Sequence, residues 1–186
     1  MNRRELLKCI AAATGTAMIG GSTLLAAGCA RTETELDKSF TSQDVILLDE
    51  VAETIIPRTD TPGAKDAEVG AHMTVMVNNT YTPEEQEIFH RGIPQIDVAS
   101  QNEFGRDFLQ LTPEQRHAVV TKLDREAREY NLNHEDPHYF TMIKQLTLFS
   151  FFTSKVGGTE VLRYVAIPGH FDGCMPYEEG DRAWAT

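Results

Sequence analysis

The sequence has only three cysteines, and none of them forms a CxxC pair. Zinc ribbons, iron–sulfur clusters and covalently attached c-type haem are therefore not encoded. Basic residues are also scarce, since 17 Lys and Arg stand against 28 Asp and Glu, a formal net charge of −11. Because nonspecific binding to nucleic acid needs a positive surface, that class of function is not expected.

Familiar catalytic patterns are missing as well, since the sequence has no Gly-rich phosphate loop and no nucleophile elbow. His134 and His138 have the spacing of a helical metal pair, but Pro137 between them disrupts a shared face, which favours exposed loop histidines. His170 and Asp172 could act as an acid–base pair only with a third group and a pocket. We therefore assign no catalytic, cofactor-binding or metal-ligating residue to this chain.

Residues 1–28 predict a bacterial export signal. The pair Arg3 and Arg4 is followed by a weakly apolar stretch, Cys9–Ala27, that is rich in alanine, glycine and threonine. A basic start, an apolar middle and small residues at the end define such a signal, and the arginine pair resembles the twin-arginine (Tat) type. The alternative is a membrane anchor of similar length, which the glycines and hydroxyl residues of the stretch disfavour.

The run Ala27–Gly28–Cys29 resembles a lipobox, in which the thiol of Cys29 takes a diacylglycerol and becomes the mature N-terminus. Ala26 stands where leucine is more usual, so simple cleavage near Ala27 is an open alternative. Residues 29–40 are polar and predict a flexible tether, so we expect a periplasmic protein anchored to the membrane by its lipid. Because the Tat route carries folded cargo, a folded and cofactor-loaded partner is expected to travel with this small chain.

Residues 41–186 predict one helical domain. Hydrophobic residues recur at three- and four-residue steps and no segment alternates with a period of two, so the class is all-α, with five or six helices and an extended C-terminal tail. The predicted helices span about Ser42–Ile56, Glu68–Asn79, Thr82–Gln101, Thr112–Tyr130 and Asp136–Phe152, with a short final turn at Thr159–Tyr164.

Local signals mark where these helices start and stop. Thr-Pro-Glu-Glu at 82–85 and Thr-Pro-Glu-Gln at 112–115 predict capping boxes with proline in the first turn. Gly92 and Pro94 should bend or break the third helix, and Gly157–Gly158 should interrupt the helical structure after the fifth helix.

The end of the fifth helix, with Phe149, Phe151 and Phe152, is apolar on nearly all sides. It is therefore either the central core helix or part of a subunit interface. The tail that follows carries Ile167 and Phe171 among prolines and glycines, whereas disordered tails usually lack large apolar residues. We predict that these five residues, together with Cys174, form or support the contact with a partner.

Cys174 has no partner within the chain once the signal is removed and Cys29 is acylated. In an oxidising compartment such a thiol is either buried as a small apolar residue or bonded to another chain. A reactive role has the least support, because no base stands beside it in the sequence.

The N-terminal signal and three stretches resemble the gluconate 2-dehydrogenase subunit 3 family: Pro62–Ala67, Leu111–Arg116 and, most strongly, Phe149–Trp184. The resemblance implies a small, non-catalytic subunit beside a large flavoprotein of the glucose-methanol-choline (GMC) type, which holds FAD and oxidises a sugar or sugar acid. A cytochrome subunit with haem c often completes such complexes. The small subunit is then expected to carry the Tat signal and to help its partner fold and cross the membrane.

Two other classes stay open. An independent enzyme would need a site that the sequence does not reveal. A free-standing periplasmic lipoprotein, or a transient export chaperone that releases its client, would need no stable partner.

Overall fold

Five α-helices make up most of the described part of the chain, residues 40–167, 169–170 and 172–185 of a computed structural model. The helices are α1 (Ser42–Ile55), α2 (Val69–Thr80), α3 (Pro83–Phe104), α4 (Pro113–Asn131) and α5 (Tyr139–Thr153). Short 3₁₀ turns precede α2 and α4, at Ala64–Ala67 and Phe108–Gln110, and a π-helical turn, Gly157–Val161, follows α5. Within the described residues there is no strand, only one isolated bridge, so the all-α prediction is confirmed.

The predicted signal and most of the tether lie outside the described residues, which all belong to one compact unit, residues 37–186. Arg3, Arg4 and Cys29 are therefore not placed. Among the described helices, none combines the length and the hydropathy that crossing a membrane requires.

Three helices begin with a capping box. The hydroxyl of Thr82 accepts from the amide of Glu85 at 3.3 Å, and the Glu85 carboxylate accepts from the amide of Thr82 at 2.9 Å. Thr112 and Gln115 exchange the same two bonds at the start of α4. Each box satisfies amides that the first helical turn leaves unpaired. Both predicted helix starts are therefore confirmed.

Of the predicted bend or break at Gly92 and Pro94, the break is wrong, because α3 runs without interruption through both residues. Gly92 is buried against the ring of Tyr139, and a Cβ atom there would lie 2.6 Å from its Cδ2. The glycine thus marks a close contact with α5. Pro94 is exposed and removes only one amide from the helical ladder.

The core is organised around α5, which contacts each of the other four helices. Its buried face includes Phe140, Ile143 and Phe151, each at most 1% exposed. The buried residues of the preceding helices surround this face, so α5 is the central helix, one of the two alternatives that its sequence allowed. The 3₁₀ turn before α4 buries Phe108 beneath this core.

The chain leaves α5 at Ser154 and then resumes as the π-helical turn. The prediction that Gly157–Gly158 interrupts the helical structure is wrong, since both glycines lie inside this turn and both are buried. The final helical turn thus begins two residues before the predicted position. After this turn the chain reaches Arg163, where the tail begins.

Candidate partner-binding surface

The last turns of α5 present two phenylalanines outward and one inward. Phe149 and Phe152 are 50% and 40% exposed, whereas Phe151 is 1% exposed and belongs to the core. The rings of Phe151 and Phe152 meet edge to face, with centroids 5.2 Å apart. Phe149 and Phe152 can therefore contribute area to an interface, while Phe151 can only support it from below.

The segment 164–180, here called the arm, contains no helix among its described residues. Every described residue of the arm is exposed. Its large apolar side chains, Tyr164, Val165, Ile167, Met175 and Tyr177, range from 46% to 84% exposed. Exposed apolar residues are ordinary when scattered singly, but a concentration of this kind marks an interaction surface.

Two of the predicted interface residues, Phe171 and Cys174, fall within the segment 164–180. Phe171 lies outside the described residues. Cys174 is exposed, so the interpretation of it as a small buried residue is wrong. Its amide donates to Oδ1 of Asp172 at 3.0 Å, a local turn that keeps the thiol at the surface.

The far end of the arm returns to its origin. The amide of Arg163 donates to the carbonyl of Ala183, and the amide of Ala185 donates to the carbonyl of Arg163, both at 2.8 Å. These bonds form a parallel bridge between Arg163 and Trp184. The Arg163 guanidinium also lies over the Trp184 ring, 4.8 Å from its centroid. We call this group, Arg163 with residues 181–185, the clamp.

A groove of about 680 Å³ runs between the end of α5 and the clamp. Phe152, Leu162, Tyr164 and Trp184 give it apolar walls, and Lys155 stands at its edge. An adjoining groove between α2 and α5 shares Thr153 and Ser154 with it. The two grooves thus meet at the end of α5, where Phe152 and Tyr164 of the arm line the first of them.

The adjoining groove is also lined by Ser150, whose hydroxyl is buried and has no hydrogen-bond partner among the described residues. Buried hydroxyls are usually paired. Val75 of α2 is 37% exposed at the same groove. The Ser150 hydroxyl and the exposed Val75 side chain thus extend the candidate surface from α5 onto α2.

The histidines that raised the question of a metal have structural roles. The letters of residues 134–138 match the H-E-x-x-H pattern of zinc proteases, which requires a helix, but these residues form a loop. His134 stacks on Tyr130 with ring centroids 3.8 Å apart, and Nδ1 of His138 accepts from the amide of Phe140 at 3.2 Å to cap α5. Within the described residues, no three potential ligands of the His, Cys, Asp and Glu types gather in one place. The prediction that the two histidines share no helical face is confirmed.

Sequence reasoning predicted an interface in the end of α5 and in the tail, where the structure exposes apolar side chains, but it missed the clamp. Arg163 and Trp184 are separated by the whole arm, and neither stands in a pattern that signals pairing. A lone tryptophan after a Pro- and Gly-rich stretch was the only available hint.

Comparison with family models gives one match, described as gluconate 2-dehydrogenase subunit 3, over residues 42–169. The matched region is more than half of the chain and runs from the start of α1 into the arm. Comparisons with curated proteins and with solved structures give no match. The family resemblance stated from the sequence is confirmed.

Proposed function

Because this chain belongs to the gluconate 2-dehydrogenase subunit 3 family, we propose that it is the non-catalytic small subunit of a periplasmic, FAD-dependent sugar or sugar-acid dehydrogenase. The family name places its members in a dehydrogenase complex, and therefore beside other subunits. The proposal assigns the chemistry to a GMC-type partner that binds FAD. A third subunit with haem c would carry electrons onward.

The observation that carries the proposal is the exposed apolar surface at the end of α5. Phe149 and Phe152 belong to the central core helix, α5, and yet face outward. The arm adds further large apolar side chains, of which Tyr164 lines the same groove as Phe152. Stable subunit interfaces are large and resemble a core that has been cut in half, which is what this side of the molecule offers.

The proposal also covers export. Arg3 and Arg4 support passage through the Tat route, and Cys29 supports a lipid anchor on the periplasmic face of the membrane. The small subunit would supply the address for a flavoprotein that has already folded around FAD. It would then keep that partner at the membrane and stabilise it.

The test is purification of the tagged full-length chain from membranes of its native host, or of a host that also expresses a GMC-type dehydrogenase gene from the same organism. We expect a larger subunit with flavin absorption and sugar-oxidising activity to co-purify. The chain produced alone should be colourless and inactive, with or without added FAD, and should bind hydrophobic dyes. Turnover by the isolated chain would refute the proposal.

A matched pair of variants locates the contact. Phe149→Ser should reduce capture of the flavoprotein, because it removes an apolar side chain that is 50% exposed at the surface. Ile46→Ser on α1 removes one that is 52% exposed on a different helix, and capture should be unchanged. Equal capture by both variants would move the interface away from α5.

The transient chaperone is the second candidate. It predicts that the chain and the flavoprotein associate in the cytoplasm and separate after export. Flavin in the complex purified from the membrane fraction after export would exclude the transient chaperone. Flavin present only in the cytoplasmic complex would favour it.

A further inference from the structure

We propose that the arm is a preformed docking loop, closed at its base by the clamp, and that it inserts into an apolar pocket of the catalytic subunit whose rim carries Arg or Lys side chains. This inference rests on the proposed function, because it takes the dehydrogenase subunit as the occupant. It replaces the extended tail expected from the sequence with a loop whose two ends are joined.

The closure of the loop depends on contacts on both sides of Arg163. Besides the two backbone bonds of the bridge, Nε of Arg163 donates to the carbonyl of Arg182 at 2.6 Å. Nη1 of Arg182 donates to the carbonyl of Glu160, in the π-helical turn, at 2.7 Å. One cation therefore holds the base of the loop, and the other ties that base to the helical body.

The clamp lowers the entropy that the arm loses when it binds. A tail free at one end would have to be ordered residue by residue, and each backbone position that becomes fixed loses conformational entropy. A loop fixed at both ends samples fewer conformations before it binds, and less ordering remains to be done. The clamp thus favours association without contributing contact area of its own.

The arm is not held by packing on its own domain. Its described residues are all exposed, and its recorded bonds are local, such as the turn in which the amide of Glu178 donates to Oδ2 of Asp181 at 3.1 Å. The arm also contributes no residue to the core, since every buried core residue lies between Leu47 and Phe151. Its apolar side chains therefore remain available to another molecule.

The charge of the arm indicates the chemistry of the partner. Residues 164–180 contain Asp172, Glu178 and Glu179 but no lysine or arginine. An acceptor pocket with basic groups at its rim would pair with these carboxylates and speed association. The same charges disfavour a second copy of this chain as the occupant, because two acidic arms and two bodies of net charge −11 would repel each other.

The experiment measures capture of the flavin-containing dehydrogenase by the full-length chain in the co-expressed complex. Trp184→Ala opens the clamp, and Ile167→Asp replaces an apolar side chain of the arm that is 84% exposed while the clamp stays intact. We expect each to raise the Kd about tenfold or more. Arg125→Gln on α4 removes an exposed arginine far from the arm in sequence and should leave the Kd unchanged.

Further measurements separate docking from folding. Circular dichroism should show unchanged helix content in all variants, and hydrogen exchange at the Arg163 and Ala185 amides should accelerate in Trp184→Ala but not in Ile167→Asp. The double variant Glu178→Gln/Glu179→Gln should weaken binding and flatten its salt dependence.

The outcomes distinguish two failures. If the unaltered chain captures no dehydrogenase, the proposed function itself is wrong. If it does, and both Trp184→Ala and Ile167→Asp bind as tightly, the docking loop is refuted while the proposed function stands. Self-association that depends on Ile167 would also overturn the inference, because the occupant would then be a second copy.

Discussion

The Cα atom of Gly157 lies against the main-chain carbonyl of Phe151, so closely that a Cβ at residue 157 would overlap the carbonyl oxygen. The next residue, Gly158, is different, because a Cβ there would meet nothing nearer than the carbonyl oxygen of Phe152 at 4.0 Å. Of the two adjacent glycines, therefore, only Gly157 makes a close contact that excludes a side chain. The first lets the π-helical turn close onto α5 and so sets the direction of the chain toward the clamp.

Gly157→Ala should lower the free energy of unfolding by about 1–3 kcal/mol, because the turn must move away from Phe151. It should also weaken capture of the dehydrogenase, since Glu160 lies within the displaced turn and Arg163 follows it closely. Denaturant titration and the capture assay measure the two effects. Gly158→Ala is the control and should change stability by less than about 0.5 kcal/mol. Similar losses in both variants would show that the close approach to Phe151 is not the cause.

The N-terminus of α5 should depend on pH through His138. Burial lowers the pKa of this imidazole, although the charge of Glu126 opposes the shift in part. The neutral ring accepts from the amide of Phe140, and protonation at Nδ1 would remove that acceptor. Because the folded pKa is below the unfolded value, the stabilisation is present above the unfolded pKa, near 6.5, and is lost as the pH falls through the folded pKa.

Two substitutions separate capping from titration. His138→Asn keeps a capping acceptor without a titratable ring, so its stability relative to the unaltered protein should improve between pH about 7.5 and about 5.5. His138→Ala should lose about 1 kcal/mol near neutral pH because the cap is gone. Denaturant titrations at several pH values give the comparison. Parallel pH profiles for the Asn variant and the unaltered protein would contradict the assignment.

The sequence predicted those parts of the fold that local chemistry determines. Thr82 and Thr112 start helices because the residues that complete each cap lie three positions later. The local pattern likewise predicts a disturbance of the helix at Gly92 and at Gly157, because glycine disfavours helical structure. In the fold each glycine instead makes room for another segment, Tyr139 in one case and the Phe151 carbonyl in the other. Neither neighbour can be identified from the chain around the glycine.

The candidate surface divides in the same way. Excess apolar residues in α5 and in the tail indicated an interface, because one buried face does not need them all. Which phenylalanine faces inward depends on the packing of α5 against four helices, and this selected Phe151. The pairing of Arg163 with Trp184 joins positions at opposite ends of the arm, so no local pattern announced it.

Export should depend on the arginine pair. Replacing Arg3 and Arg4 together with lysine keeps the positive charge but removes the twin-arginine signal, so precursor should accumulate in the cytoplasm together with the flavoprotein. Cell fractionation and immunoblotting of both proteins measure this. Normal export of the double variant, or normal export in a strain without the Tat translocase, would assign the chain to the general secretory route.

Cys29 should carry lipid in the mature protein. Intact mass measurement is expected to show a chain that begins at Cys29 and bears a diacylglycerol. Cys29→Ser should release the protein from the membrane fraction, because no acyl chain remains to hold it. A mature N-terminus at another residue would instead support simple cleavage near Ala27.

The contact between Gly92 and Tyr139 restricts how this family can diverge. A side chain at position 92 would occupy the space that the Tyr139 ring now fills, and the helix around it leaves no other room. Lineages that gain bulk at position 92 should therefore lose it at position 139, or shift α5 relative to α3. A shift of α5 would carry Phe149 and Phe152 with it and alter the surface offered to the partner. Substitutions at Gly92 or Tyr139 are thus expected to be accompanied by compensating changes in the proposed dehydrogenase subunit, so the two genes should evolve together at positions that never touch.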